Sequence, residues 1–440
     1  MKKKYFITIL IIQISVFAQN TMQVVGKNLN TATGQNFIMR GVNYPLINQG
    51  NISLSNAASY QFYIDEVAKT GANTIRIPWY TNGQSWRDLP ASGGTPGTVN
   101  GYVTNGHLSN IIAYCITKNM VPILSIHDDS FITCKTGWTH FNTAVMNFWT
   151  SPAVLSLIET NKAHIIINLA NEFDFVRWTG NQASALNTYK TNYNVAITTI
   201  RNAGVNVPIM IDAPDCGQSS TELLSIAESM NLADSRQNLI FSSHTYWGGY
   251  ASTLAQVQAK LNEAQNTNVC FVLGEVAKNQ DNNSCGDLDL SALYPLILTE
   301  ACARNIGWLA WSFNLDCSPA RQMTTNGIFN NLTAFGNNIV YNTNYGLKST
   351  NGCQATLSTY NFDLNDISVS IYPNPSNGIF SISTNYNQIS SIKAFDVFGK
   401  EIIINDRSKN TFSIQKDGIY FLKINFDNGK MIHKKIMVKN

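Results

Sequence analysis

Residues 164–172 read His-Ile-Ile-Ile-Asn-Leu-Ala-Asn-Glu, a short apolar and β-branched run that ends in polar side chains. The chain contains eight runs of this kind, at residues 37–44, 73–79, 121–128, 164–172, 207–215, 239–247, 270–276 and 308–313. Helical patterns lie between them, for example at residues 57–70, 108–119, 183–202, 254–265 and 288–304. Apolar strands that alternate with helices form parallel sheets covered on both faces. Eight such units predict an α/β fold of the closed (β/α)8 type rather than a doubly wound open sheet.

Polar residues close each run, and in a barrel of this type the active site is built where the strands end. These residues are Asn43, Arg76, His127, Asp128, Asn171, Glu172, Asp212, His244, Tyr246, Glu275 and Trp311. A single strand-end glutamate more often forms a structural salt bridge or caps a helix. The ordered set favours a site instead, with Asp128 and Asp212 in structural roles.

Glu172 and Glu275 end the fourth and seventh runs and can face each other across a closed barrel. Two carboxyl groups about 5 to 5.5 Å apart carry out retaining glycoside hydrolysis, one as acid/base and one as nucleophile. Arg76 and Tyr246 are expected to keep one carboxylate ionised by charge-assisted hydrogen bonds.

The chain composition excludes several classes of partner. Charged residues make up 13% of the 440 residues, and the formal net charge is +3. A nucleic-acid-binding protein would need a basic patch, which this balance does not suggest. The many neutral hydrogen-bonding side chains agree with an uncharged polysaccharide partner.

Residues 1–18 have the pattern of a secretory signal peptide. Lys2, Lys3 and Lys4 precede an apolar run, and cleavage is expected near Ala18. The alternative is a membrane anchor, but the run is shorter than the ~20 residues that a spanning helix needs.

Cysteine spacing excludes a zinc site of the CxxC type. The cysteines are Cys115, Cys134, Cys216, Cys270, Cys285, Cys302, Cys317 and Cys353. Export favours disulfide bonds, although the sequence cannot choose their pairing and several buried free thiols are the alternative.

From residue 362 the sequence alternates apolar and polar residues in short runs, and it contains no cysteine or tryptophan. A segment of about 75 to 80 residues with this pattern predicts a small β-sandwich-like domain. The domain boundary is expected near residues 350–361.

Seven motifs carry a resemblance to a known family. They are Met39-Arg40-Gly41-Val42-Asn43, Gly71-Ala72-Asn73-Thr74-Ile75-Arg76-Ile77, Ile126-His127-Asp128, Ile167-Asn168-Leu169-Ala170-Asn171-Glu172, His244-Thr245-Tyr246, Leu273-Gly274-Glu275 and Gly307-Trp308-Leu309-Ala310-Trp311-Ser312. Together they resemble glycoside hydrolase family 5, whose members are retaining (β/α)8 glycosidases. The resemblance covers roughly residues 22–350 and implies no metal or cofactor.

The resemblance also implies a role for each site residue. Glu172 would be the acid/base and Glu275 the nucleophile. The implied substrate-binding residues are Asn171 at the 2-hydroxyl, Arg76 and Tyr246 holding the nucleophile, His127 and His244 lining the cleft, and Trp311 under the sugar.

Within the family, residues 307–349 are most similar to bacterial β-mannanases, whereas Asp129-Ser130-Phe131 and Phe173-Asp174 differ at positions that shape the cleft. We therefore predict a secreted retaining endo-β-1,4-mannanase. The alternatives are an endo-β-1,4-glucanase that uses the same residues and, more distantly, a non-catalytic surface glycan-binding protein. One or two of four tryptophans are expected to stack on sugar, namely Trp79, Trp138, Trp178 and Trp247.

The C-terminal segment resembles the sorting domain of type IX secretion substrates. Its motifs are Tyr372-Pro373-Asn374-Pro375, Gly378-Ile379-Phe380, Phe395-Asp396-Val397-Phe398-Gly399-Lys400 and Gly418-Ile419-Tyr420-Phe421. A carbohydrate-binding module is the alternative. The expected organisation is a signal peptide (1–18), a catalytic domain (19–353), a linker (354–366) and a sorting domain (367–440). The resemblance implies contact with the secretion machinery and action outside the cell or at its surface, and we expect the protein to be a monomer.

Overall fold

A computed structural model describes most of the chain. The described residues are 21–49, 56–81, 103–104, 106–128, 137–349, 353, 369–384, 389–397, 399–408, 410–426 and 431–439. The predicted signal peptide and linker lie outside these residues. The chain divides into two compact units, Met1–Phe362 and Asp363–Asn440, and each is described by itself.

Eight parallel strands close into a barrel in the first unit. They are β1 (Arg40–Asn43), β2 (Thr74–Trp79), β3 (Val121–Ile126), β4 (Ile166–Asn168), β5 (Ile209–Asp212), β6 (Leu239–His244), β7 (Cys270–Val276) and β8 (Gly307–Ala310). Each strand pairs with the next along the chain, and β8 pairs with β1. Every predicted run overlaps one of these strands, so the barrel prediction is confirmed.

Helices connect the strands. They are α1 (Ala57–Ala68), α2 (His107–Thr117), α3 (Pro152–Asn161), α4 (Gln182–Asn202), α5 (Ser220–Ala233), α6 (Leu254–Asn266), α7 (Tyr294–Ala303) and α8 (Ala334–Tyr341), with a further helical segment at 138–149. Side-chain hydrogen bonds near the helix N-termini fix where several helices begin. Helix α6, for example, begins with a capping box in which Thr253 and Gln256 satisfy each other's backbone N–H groups.

The predicted helix over residues 288–304 is wrong in its first turns. Leu288–Asp289 forms a short antiparallel ribbon with Asn279–Gln280, and the helix begins only at Tyr294. Pro295 occupies the first helical turn, where its missing N–H removes no intrahelical hydrogen bond.

The barrel strands are buried on both faces. Every residue of β2, β3, β6 and β7 is buried, which explains why these strands read as continuous apolar runs. Among the described residues, no helix combines the length and apolar composition needed to cross a membrane.

The second unit is all-β, as predicted. Its strands are β9 (Val369–Tyr372), β10 (Ile379–Thr384), β11 (Ile389–Phe395), β12 (Glu401–Ile402), β13 (Asn405–Ser408), β14 (Thr411–Ser413), β15 (Gly418–Phe426) and β16 (Met431–Val438). They form two four-stranded antiparallel sheets with the orders β9-β10-β14-β13 and β12-β11-β15-β16. A separate apolar core includes Phe380 and Phe412, which stack with ring centroids 5.2 Å apart.

Some cysteines form disulfide bonds and others are buried free thiols, so both alternatives occur. Disulfide bonds join Cys285 to Cys317 and Cys302 to Cys353, and Cys216 is also disulfide-bonded. Cys115 and Cys270 are buried free thiols, whereas Cys134 lies outside the described residues.

Candidate active site

The carboxyl ends of the barrel strands bring the predicted polar residues to one end of the barrel. Arg76 lies on β2, His244 ends β6 and Glu275 lies near the end of β7. Glu172 follows β4 by four residues and has a positive φ of 50°. Strand topology alone therefore collects groups that are far apart in the sequence.

Arg76 is the centre of a buried hydrogen-bond network, and its side chain is 0% exposed. Its Nη1 donates to Glu275 Oε1 at 2.7 Å, and its Nη2 donates to Asn171 Oδ1 at 2.7 Å and to Asp212 Oδ2 at 3.1 Å. Its Nε and Nη2 both donate to Asn168 Oδ1. The guanidinium therefore holds strand ends β2, β4, β5 and β7 together.

Glu275 has a partner on each carboxylate oxygen. Arg76 binds Oε1, and the Tyr246 hydroxyl donates to Oε2 at 2.7 Å. Burial raises the pKa of Glu275, and the nearby Glu172 charge acts in the same direction, whereas His244, Arg76 and Tyr246 oppose them. These donors orient the carboxylate and favour its ionised form.

Glu172 lies next to Glu275 but in a more open place. Its side chain is 13% exposed, compared with 4% for Glu275. Its Oε1 lies 2.6 Å from His244 Nδ1, and a carboxylate oxygen of Glu172 lies within 4.8 Å of one of Glu275. The two carboxyl groups are therefore direct neighbours at this end of the barrel.

His244 lies between three carboxylates. Its Nδ1 is 3.6 Å from Glu275 Oε2, and its Nε2 is 3.5 Å from Asp212 Oδ1. Burial lowers the pKa of His244, but the charges of Glu275 and Asp212 outweigh this effect and raise it to about 10. His244 is thus a cation at neutral pH, and it balances part of the buried negative charge.

Two glycines allow the imidazole of His244 to occupy this place. A Cβ on Gly217, whose φ is +73°, would lie 2.5 Å from His244 Cγ. A Cβ on Gly274 would lie 3.1 Å from His244 Nε2 and 2.3 Å from Ser242 Oγ. Close packing from two sides therefore sets the orientation of the ring.

Asp212 lies beside the two cationic side chains, Arg76 and His244. Burial by itself would raise its pKa, but His244 and Arg76 hold it well below the usual range. The Asp212 side chain is 0% exposed.

His127 and Trp311 lie parallel, with ring centroids 6.0 Å apart and planes inclined by 13°. Burial lowers the pKa of His127 well below the usual value, and the Arg76 charge adds to this effect. His127 is therefore neutral and can accept or donate a hydrogen bond, beside an indole ring that is 7% exposed.

The four tryptophans separate by burial. Trp79 and Trp247 are 0% exposed and belong to the core. Trp138 is half-buried and packs on Phe173 at 4.7 Å between centroids, whereas Trp178 is 48% exposed on the loop that follows Glu172.

Phe173, where the sequence departs from the family, has structural partners, and so does Asp128, which belongs to a family motif. The other departure, at residues 129–131, lies outside the described residues. Phe173 is buried in the aromatic cluster around Trp138. Asp128 accepts hydrogen bonds from the Thr81 backbone N–H at 2.9 Å and lies 2.8 Å from His140 Nε2. Asp128 thus links the loops that follow β2 and β3.

Sequence reasoning missed three contributors. Asn168 accepts from Arg76 and Ser125, and its signal was a polar residue inside an apolar run. Asp316 accepts from Trp311 Nε1 at 3.3 Å and pairs with Arg321. Both lie in an irregular loop after β8, where no periodic pattern marks them.

Two clusters of the described residues bring metal-ligand atoms within 4.8 Å of one another. The first cluster consists of Glu172, His244 and Glu275. In it a protonated His244 has no lone pair to offer a metal. In the second, Asp281 lies beside Cys285 and Cys317, whose sulfurs are joined in a disulfide bond.

Comparison with known proteins identifies two related families and a curated relative. The family described as Cellulase (glycosyl hydrolase family 5) matches residues 31–316, and the Secretion system C-terminal sorting domain matches residues 370–439. A mannan endo-1,4-beta-mannosidase of Cellvibrio japonicus (strain Ueda107) is 29% identical over 342 residues, which cover 76% of this chain and 69% of that protein.

Solved structures share the fold. The mannanase catalytic domain from Streptomyces sp. SirexAA-E superposes with a TM-score of 0.58 at 21% identity, covering 80% of this chain and 97% of that one. The mannotriose complex of Thermomonospora fusca β-mannanase has a TM-score of 0.57 at 20% identity, covering 76% and 97%.

The chain belongs to glycoside hydrolase family 5. It is a glycoside hydrolase that carries a C-terminal secretion sorting domain.

Proposed function

We propose that the protein is an exported retaining endo-β-1,4-mannanase. The observation that carries the mechanism is the close approach of Glu172 and Glu275, within 4.8 Å. Retaining enzymes separate the two carboxyl groups by about 5 to 5.5 Å, whereas inverting enzymes need about 6.5 to 9.5 Å to admit a water. The geometry therefore favours double displacement.

Glu275 is the nucleophile in this proposal. Arg76 and Tyr246 aim its two oxygens and favour the carboxylate form. One oxygen attacks the anomeric carbon as the bond to the leaving-group oxygen breaks, and a glycosyl ester with Glu275 forms. Asn171, held by Arg76 at 2.7 Å, is assigned to the substrate 2-hydroxyl.

Glu172 is the acid/base. It donates its proton to the leaving oxygen and then removes a proton from the water that hydrolyses the ester. Its greater exposure suits this role, because the group must exchange protons with solvent in each cycle.

The mannan substrate is supported by the relative from Cellvibrio japonicus and by the mannanase fold neighbours. His127, His244 and Trp311 are assigned to the sugar at the cleavage point, and the exposed Trp178 to a more distant sugar. The family description Cellulase favours an endo-β-1,4-glucanase as the second candidate.

Export completes the proposal. Residues 1–18 would direct passage across the first membrane, and residues 367–440 would engage the secretion machinery, consistent with the matched sorting domain. Residues 19–353 would form the catalytic domain, joined by a linker at 354–366. The exported protein would be a monomer that acts outside the cell or at its surface.

The test combines a substrate panel with two isosteric variants. Initial rates on galactomannan, glucomannan and carboxymethylcellulose separate mannanase from glucanase, and proton NMR of the first product reports retention. Glu172→Gln and Glu275→Gln are expected to lose nearly all activity while they keep the wild-type melting temperature. Normal hydrolysis by either variant would contradict the mechanism.

A further inference from the structure

The loops that follow β7 and β8 are joined beside the candidate active site. The Cys285–Cys317 disulfide connects them, with 6.0 Å between the two Cα atoms. A second disulfide, Cys302–Cys353, lies near the opposite end of the barrel, because the carbonyl of Cys353 accepts from Arg40 at the first residue of β1. The Cys302–Cys353 disulfide can therefore serve as a control for the effect of the Cys285–Cys317 disulfide on the active site.

Arg321 occupies the centre of the joined loops. Its Nε donates to Asp316 Oδ2 at 2.5 Å and its Nη2 to Asp316 Oδ1 at 3.1 Å, a two-pronged pair. Its Nη1 donates to Asp281 Oδ1 at 2.8 Å, and its Nη2 lies 3.1 and 3.0 Å from the sulfurs of Cys285 and Cys317. The Arg321 and Asp316 side chains are 6% and 1% exposed.

This clamp reaches two residues of the candidate site. The Arg321 guanidinium carbon lies 5.9 Å from the Tyr246 ring centroid. Asp316 accepts the indole N–H of Trp311 at 3.3 Å. Tyr246 and Trp311 in turn pack together with Ala277 in one buried cluster. The clamp therefore contacts Tyr246, which donates to Glu275, through Arg321, and it contacts Trp311 through Asp316.

We propose that Arg321, held by Asp316 and by the Cys285–Cys317 disulfide, is a positioning residue that orients Tyr246 toward Glu275 and Trp311 toward the substrate. This inference rests on the roles proposed above for Glu275 and Trp311. According to this inference, the loops after β7 and β8 orient active-site side chains as well as stabilise each other.

Electrostatics points in the same direction. Burial raises the pKa of Tyr246 well above its usual value, and the Glu275 charge raises it further, whereas the Arg321 charge lowers it. A cation near the ring makes the phenol a better donor. Removal of Arg321 should weaken the Tyr246 bond to Glu275 and leave the nucleophile harder to ionise.

The test compares Arg321→Gln with Arg201→Gln. Arg201 forms an equally buried two-pronged pair with Asp234 at 2.8 and 2.9 Å, between helices α4 and α5. Both variants should lower the melting temperature. Only Arg321→Gln should lower kcat, by about tenfold, and shift the acidic limb of the pH profile of kcat/KM to higher pH.

A double-mutant cycle with Tyr246→Phe isolates the coupling. If Arg321 acts through Tyr246, Arg321→Gln should reduce kcat clearly less in the Tyr246→Phe background than in the wild type. The disulfides form a second matched pair, because Cys285→Ser/Cys317→Ser should reduce kcat whereas Cys302→Ser/Cys353→Ser should reduce only stability.

A folded Arg321→Gln protein with wild-type kcat and an unmoved pH profile would overturn the inference, and so would fully additive effects in the cycle. If Arg321→Gln does not fold, Cys285→Ser/Cys317→Ser decides by the same two readouts. Glu275→Gln tests the proposed function with Arg321 intact, so an active Glu275→Gln refutes that function, whereas an inactive Glu275→Gln beside a normal Arg321→Gln refutes only this inference.

Discussion

Tyr246→Phe removes one hydroxyl from the candidate site and leaves the aromatic ring in place. The hydroxyl donates to Glu275 Oε2 at 2.7 Å, and the two residues are 8% and 3% exposed. At this burial, solvent cannot readily replace the lost donor. Hydrogen bonds to charged groups contribute about 1.5 to 3 kcal/mol. Since about 1.4 kcal/mol is tenfold in rate, we expect kcat/KM to fall about 10- to 150-fold.

The same substitution should change the pH dependence in a defined direction. Burial raises the pKa of Glu275, and Tyr246 is one of the groups that lower it. Without that donor the pKa rises further, so the ionised nucleophile forms only at higher pH. The acidic limb of kcat/KM therefore moves to higher pH.

The assay is the initial rate of reducing-sugar release from the preferred soluble polymer, measured across the pH range with thermal melts alongside. Tyr294→Phe is the matched control, because its hydroxyl donates to Asn338 Oδ1 at 3.0 Å and so joins helix α7 to helix α8 rather than binding a glutamate. A kcat/KM for Tyr246→Phe within about twofold of wild type, with an unmoved acidic limb, would refute the role assigned to this bond.

Three other experiments separate the placement of His244 from general stability and from substrate contact. Gly217→Ala puts a Cβ 2.5 Å from His244 Cγ at φ +73°, so it should reduce kcat far more than Gly204→Ala, where φ is +93° and no atom lies within 4 Å; equal rates would contradict this. Burial lowers the pKa of His244 and the carboxylates raise it, to about 10. This lies above the unfolded value of about 6.5, so the stabilisation is complete below that pH and is lost as pH rises through about 10. Wild-type melting temperatures should therefore fall more steeply over this interval than those of His244→Gln, and parallel curves would refute the linkage. Trp178→Ala should raise KM at unchanged kcat and melting temperature, whereas Trp247→Ala, at a fully buried ring, should lower the free energy of unfolding by about 3 to 5 kcal/mol; matching melts would count against this division.

Strand positions and the end of the barrel that carries the site could be predicted from sequence, because period and polarity are local properties. The run at 164–172 illustrates this, since Ile166–Asn168 forms β4 and the final residue of the run is Glu172. The helix predicted from residue 288 failed because Leu288–Asp289 pairs with a neighbouring segment, a contact that apolar spacing does not reveal.

Burial of aromatic rings could not be predicted, since tryptophans in strand-end loops look alike in sequence. Trp247 lies in the core and Trp178 is half exposed. The direction of each ring depends on the packing of neighbouring helices and loops.

By itself the sequence determined the number and order of the barrel units and the all-β character of the C-terminal unit, and it pointed to Glu172 and Glu275 as the candidate glutamates. It did so because hydrophobic periodicity and strand-end chemistry are written within short stretches. Only the tertiary structure decided how the charges combine. Barrel closure places Arg76, His244 and Asp212 around Glu275. The mutual charges of these buried groups, absent from any single strand, raise the pKa of His244 and lower that of Asp212 against the effect of burial.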